Sequence, residues 1–500
     1  MVTPLVLVAK KQNRLLVLLL CSAVQLGYAQ LPATYPFPEC DTANAPIVPK
    51  LPANFSYKIL FQEGNPVINP QTGKTGKAKR NHDYLSFITV DSVGGNKGLV
   101  YVSHETNDTS NALGDGGGGT VFQIVKSKKD NSWSVDGKFQ NIDFSPVGGT
   151  YNNCSGTITP QKRILTAEEF PPESNSELYS KGRGFRDTTD FAGLKRHQSM
   201  GWMVEVDPFA KKALHKLYSM GRYSHEGIWI MPDSQTVFLA DDFAPAVFFK
   251  FVADVPGNFV KGQLFAFKQN TNGLLPGEWI ALPRDLDSLV YARDMAIKRG
   301  ATLFLRLEWM TLVDNKLFIT ETGSDSISLQ KNIMLGGVPA HHLEQYKLQN
   351  TAGDYYDYPY GSVLSFDVYQ NTMYQHLAGG SMANNPLKHF SNPDGIAQFS
   401  KDGKTYLVIS EDVIRTDRGR CSKYAEDNRL NLNEVFLLDA SVPVPRVHDL
   451  HRIMVAPLGC ETTGAYFSPD AKTLFINIQH PSEKNPPPFN KSTTIAISGF

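Results

Sequence analysis

Carboxylates recur at the ends of short apolar runs in this 500-residue sequence: Asp83, Glu105, Glu168, Glu169, Glu226, Asp241, Asp242, Glu308, Glu321, Asp394, Glu411, Asp412 and Glu461. His82, Cys154, Arg306 and His480 stand at the same kind of position. A single acid there is ordinarily a solvated turn residue or the partner of a nearby lysine, and a lone exported cysteine is ordinarily half of a disulfide. A set gathered in one place is different, because close carboxylates raise one another's pKa unless cations neutralise them. Oxygen-rich sites suit hard cations such as Ca²⁺, and a thiolate among them calls for iron or zinc. Arg306 and Glu308 alternate onto one face of a strand, and an arginine held among acids is suited to bidentate capture of phosphate.

The elements that would gather them are hairpins. Runs that close on polar residues are GLVYVSHE, RILTAEE, TVFLADD, KLFITETG, TYLVISED and TLFINIQHP, most of them preceded by a turn signal such as GGN, PDS or KDG. Upstream of each turn lies a run that tends to open on a polar group: HDYLSFITV, CSGTIT, HEGIWIM, LEWMTLV, DGIAQFS and CETTGAYFS. Antiparallel pairing sets the start of one strand beside the end of the next, so both polar sets fall at the same end of each hairpin. Six such units predict an all-β, six-bladed β-propeller with the hairpins innermost and the acids around one mouth. GWMVEVDP, AVFFKFVAD, GQLFAFKQ, GSVLSFDVYQ and NEVFLLDAS supply outer strands. Residues 284–299 are expected to be helical, and 328–360 to form an insertion over one face.

Lysine plus arginine equal aspartate plus glutamate at 49 each, so bulk charge favours neither nucleic acid nor an anionic membrane. Lys10, Lys11 and Arg14 precede the apolar run LLVLLLCSAVQLG, which reads as a secretory signal, residues 1–29, cleaved near Ala29. No later segment is long and apolar enough to span a bilayer. Residues 30–55 are expected to be an extended arm and 56–500 a single propeller domain, secreted or periplasmic and monomeric. Cys40, Cys154, Cys421 and Cys460 remain after cleavage, with three pairings open. Sequons stand at Asn54, Asn107, Asn153 and Asn490.

NNCSGTITPQKRILTAEE, GWMVEVDP, GRYSHEG, the R-x-E-W of Arg306–Trp309, NPDGIA and GCETTGAYFSPDAKTLFINIQHP resemble, in order and rough spacing, motifs of the PhoX-type secreted alkaline phosphatases. The resemblance implies a six-bladed propeller whose mouth holds an oxo-bridged iron pair, two Fe³⁺, joined to calcium ions. It further implies that Cys154 is a thiolate ligand of iron, that Glu226 and Glu308 bind the cluster metals at the catalytic centre, and that Arg306 holds the substrate phosphate. Glu169, with the backbone near Asn152, would bind calcium. Glu461, Asn477 and His480 fall in family motifs, Glu461 as an expected metal ligand and His480 as an expected substrate contact. The implied substrates are small phosphate monoesters, with diesters as a further class. Family members generally leave the cell by the twin-arginine route, and no arginine pair precedes the apolar run here. Two other readings stay open: a calcium-dependent propeller hydrolase of the lactonase kind, which needs no thiolate, and a propeller that binds without catalysing.

Overall fold

Four-stranded antiparallel sheets recur along the chain because each apolar run is bounded by turn residues and is too short to do more than pair with its neighbours. The computed structural model describes residues 35–500 apart from 41–45, 92–93, 180–184, 188, 271–274, 329–336, 350–354, 383–384 and 414–432. The expected signal segment, residues 1–29, and Cys421 lie outside the described residues.

Six sheets form the blades. Their first and second strands are His82–Thr89 and Lys97–His104, Asn153–Ile158 and Ile164–Glu168, His225–Ile230 and Thr236–Asp241, Leu307–Val313 and Lys316–Glu321, Pro393–Lys401 and Lys404–Glu411, and Glu461–Phe467 and Thr473–Gln479. The six first strands touch one another in sequence, the last against the first, which closes a ring around a central channel. These inner strands are buried along most of their length, as in HDYLSFIT, since neighbouring blades cover both faces. Farther out the pattern relaxes to alternation: in Phe249–Val255 the buried residues are Phe249, Phe251 and Ala253.

Residues from both ends of the chain complete blade 6, where Ser56–Gln62 pairs antiparallel with Thr493–Ser498 as the outermost strand. Ahead of that strand, Lys50 bridges to Val455 and the Cys40 N–H donates to the Arg452 carbonyl, both on the outer strand of blade 5. Aromatic rings fill the wedges between blades. Phe238, Phe248, Phe267, Trp279 and Phe366 pack together between blades 3 and 4 with centroids 5.1 to 6.0 Å apart.

The expected helix at 284–299 is two short ones, Leu286–Leu289 and Ala292–Lys298; Asp285 caps the first by accepting from the Ser288 N–H. The insertion carries more structure than its loop-like composition suggests. Ser324–Ser328 pairs with Tyr355–Tyr358, and the helix Ala340–Gln349 lies between them in the chain.

Candidate metal centre and active site

One backbone device repeats around the ring. In every blade the register between first and second strands slips once, between His82 and Leu85, Asn153 and Gly156, His225 and Ile228, Leu307 and Met310, Pro393 and Ile396, and Thr463 and Tyr466. Bulges of this kind re-aim a side chain. In five blades the first residue inside the slip is Asp83, Cys154, Glu226, Glu308 or Asp394. Blade 6 is out of step: its acid, Glu461, opens the strand and lies three residues ahead of the slip.

The second strands add another layer. Glu105, Glu169, Asp242, Thr322 and Asp412 directly follow the last residues of second strands, and each N–H donates to the carbonyl of Asn81, Asn152, Ser224, Arg306 or Asn392 respectively, at 2.9 to 3.0 Å. Five hairpins are thus tied at the mouth by the same bond. Consecutive strand residues face opposite ways, so the acids one position earlier turn from the mouth into the blade. Glu168 accepts from the Gly201 and Trp202 N–H groups and lies 3.0 Å from Lys216 Nζ. Asp241 accepts from the Val247 N–H, and Glu411 from the Ser391 and Glu434 N–H groups. The recurring acid pairs are therefore one residue for the mouth and one that fastens the blade.

Ligand-type atoms converge at the mouth in three groups, each within 4.8 Å: Cys154 with Glu169 and Glu226, Glu226 with Glu308 and Asp394, and Asp412 with Glu461 and His480. Gly227 permits the first two to share Glu226, because a Cβ there would lie 2.1 Å from the Glu308 carbonyl oxygen; only glycine lets blade 3 approach blade 4 so closely. Burial first and neighbouring carboxylates second push Asp83, Glu169, Glu226, Glu308, Asp394 and Glu461 well above the usual carboxylate range. Burial, then Glu226 and Glu169, raise the Cys154 thiol as well, and its Sγ lies 3.1 Å from the His225 carbonyl. Asp83 Oδ1, Asp394 Oδ1 and Asp412 Oδ1 are buried without a hydrogen-bond partner. Orphaned acceptors around a thiol are a costly arrangement for a protein alone, and the residues fit a group of cations.

Arg306 is the cation the chain itself supplies. Its Nε and Nη2 donate to Asp242 at 2.9 and 3.3 Å, and Nη2 lies 3.1 Å from Glu308 Oε1. Burial opposes its charge, yet Asp242, Glu308 and Asp412 outweigh burial and hold the guanidinium protonated well beyond its ordinary range. Arg306 also has φ 56°, a left-handed backbone that is uncommon for a long side chain. The residues ahead of the inner strands in blades 1, 2 and 5 share it: Asn81, Asn152 and Asn392 have φ 52°, 38° and 48°.

The chain matches the family model for alkaline phosphatase PhoX over residues 36–482. It belongs to the PhoX family of alkaline phosphatases. PhoX proteins of this family are phosphoric ester hydrolases, and that is the class of this enzyme. The fold is also that of PhoX from Pseudomonas fluorescens, solved in complex with vanadate, a transition-state analogue: TM-score 0.69 and 21% identity, over 92% of this chain and 97% of that one. A putative 6-phosphogluconolactonase from Bacteroides uniformis aligns over 85% of this chain and 90% of its own at 13% identity, with a TM-score of only 0.35. No curated protein matches the chain in sequence.

The structure brings Cys154, Glu169, Glu226, Arg306, Glu308, Glu461 and His480 to this PhoX mouth. His480 Nε2 is 3.0 Å from Glu461 Oε2. The Asn152 carbonyl is already the acceptor for the Glu169 N–H, with its second lone pair left over. Asn477 does not join the mouth groups: it donates to the Asp83 carbonyl and accepts from Thr494 Oγ1, stitching blade 6 to blade 1. Asp83, Asp242, Asp394 and Asp412 belong to the acid set that their repeat positions place at the mouth, but the sequence assigns none of them an individual role. Thr322 was missed altogether; its Oγ1 donates to Glu308 Oε1 at 2.8 Å. Asn153 of the sequon is fully buried and accepts from the Gly118 N–H and Thr150 Oγ1. Among the described residues, no helix is long and apolar enough to cross a membrane.

Proposed function

We propose that this PhoX enzyme is exported by way of the segment 1–29 and hydrolyses small phosphate monoesters, with diesters as a further class, at an iron–calcium cluster in the propeller mouth. The observation that supports this most is the convergence of Cys154, Glu169 and Glu226 beside Glu308 and Arg306. One soft donor among hard oxygen donors suits a mixed site, with iron at the thiolate and calcium among the carboxylates.

Cys154, Glu226 and Glu308 would hold the cluster at the reacting centre, with Glu169, the Asn152 carbonyl and Glu461 completing it. When bound, the cluster supplies positive charge for the phosphate oxygens and lowers the pKa of water. Arg306 adds donors to the charge that develops on the transferring phosphoryl group. Asp242 and Glu308 fix its Nε and Nη2, while Nη1 makes no hydrogen bond among the described residues and remains available to substrate. Asp242 is thus a positioning residue, and Thr322 orients Glu308 in the same way. His480, more than a third exposed, offers a ring nitrogen at the rim where the ester group would lie.

Cys154→Ala is the test. Loss of bound iron together with a fall of more than about 100-fold in hydrolysis of an aryl phosphate is expected. Full activity in the variant would refute the thiolate-anchored centre.

A further inference from the structure

Glu321 departs from the other acids that turn away from the mouth. Glu168 has Lys216 for a partner and Asp241 has Arg293, but Glu321 meets two imidazoles. His341 Nε2 lies 2.8 Å from Oε2 and His342 Nε2 lies 3.0 Å from Oε1. The three residues are at most 9% exposed, and their ligand atoms all fall within 4.8 Å of one another. His342 Nε2 is buried without a hydrogen bond despite its closeness to Oε1. Adjacent residues of a helix ordinarily point about 100° apart; here both side chains of the His-His pair at the start of Ala340–Gln349 converge on one carboxylate.

We infer that Glu321, His341 and His342 form a zinc-class metal site, separate from the mouth, that fastens the helix Ala340–Gln349 to blade 4. Two imidazoles and a carboxylate are a ligand set that suits Zn²⁺. Tetrahedral zinc with bonds of about 2.0 to 2.1 Å spaces its ligand atoms about 3.3 Å apart, so the two separations between Glu321 and the imidazoles need to open by only a few tenths of an ångström. Supporting contacts are in place. His342 Nδ1 lies 3.1 Å from Tyr356 Oη, the Leu305 N–H donates to Glu321 Oε1 at 3.1 Å, and Ser362 Oγ donates to Oε2 at 3.3 Å. Such partners fix the ring and carboxylate orientations a metal requires. A cavity of about 110 Å³, lined in part by Tyr358 and Gln375, reaches His341.

The test uses the full chain carrying its native metals, dialysed against buffered Zn²⁺, with zinc, iron and calcium counted per chain. The wild type should hold one zinc more than His342→Gln, with iron and calcium equal in the two. Tyr356→Phe removes only the supporting oxygen and should weaken zinc binding by about 10- to 100-fold. Zinc-edge X-ray absorption of the wild type should show nitrogen and oxygen neighbours and no sulfur. Equal zinc in wild type and His342→Gln, undiminished binding by Tyr356→Phe, or sulfur on the zinc would each overturn the site. Because the readout is zinc, failure here would leave the iron–calcium proposal standing, and loss of iron alone would leave this one standing.

Discussion

Replacing Arg306 by asparagine separates its chemistry from its backbone. Asn81, Asn152 and Asn392 hold the equivalent place in three other blades with the same left-handed φ, and asparagine tolerates that region better than other side chains bearing a Cβ. The substitution therefore keeps the hairpin tie to the Thr322 N–H and relieves strain of about 1 kcal/mol. It deletes the guanidinium that bridges Asp242 and Glu308. Removing one preorganised donor of this kind costs about 10²- to 10³-fold in turnover, or roughly 3 to 4 kcal/mol of transition-state stabilisation. Arg306→Asn should show that loss in steady-state hydrolysis of an aryl phosphate, counted per folded molecule, while its metal content matches the wild type. Arg306→Lys keeps the charge but not the fork that matches phosphate, and should recover only part of the loss. Wild-type kcat/KM in Arg306→Asn would remove the arginine from the mechanism. A loss that tracks departing metal would make it a structural residue.

The neighbouring elements give three further expectations. Gly227→Ala puts a Cβ 2.1 Å from the Glu308 carbonyl oxygen; it should cost about 1 to 3 kcal/mol, seen as a lower denaturant midpoint, and should reduce bound iron by parting Glu226 from Glu308. Lys216→Met leaves Glu168 buried without its cation and should destabilise by about 3 to 5 kcal/mol, with turnover per folded molecule unchanged because Glu168 faces the blade. His376 is buried in blade 4 with both ring nitrogens unpartnered, and burial, aided by Lys316, lowers its pKa to about 4. The unfolded chain then binds a proton between pH 6.5 and about 4 that the native state does not, so stability falls as pH falls through that window. His376→Phe should flatten the fall in unfolding free energy measured by urea titration there by up to about 3 kcal/mol; an unchanged pH slope would show that His376 is protonated in the fold.

The hairpins were legible because turn chemistry and apolar runs are local signals, and their number fixed the blade count. The gathering of acids at one end was legible for the same reason. Their division was not drawn out: alternation alone would have set Glu169 toward the mouth and Glu168 into the blade, Asp242 toward the mouth and Asp241 away. The bulges were beyond reach, since a register slip at Cys154 or Glu308 depends on how six strands crowd around one channel rather than on the composition of any one of them. Gly227 shows the same limit, its reason being the backbone of the next blade. The His341-His342 pair carried no periodic signal, and only the fold brings it to Glu321.

Iron-edge X-ray absorption on the purified, active enzyme, with iron and calcium counted on the same sample, tests the central claim most directly. The account predicts iron with a sulfur neighbour that disappears in Cys154→Ser, and calcium in the same molecules. A fully active enzyme without iron, or iron with no sulfur ligand, would contradict it.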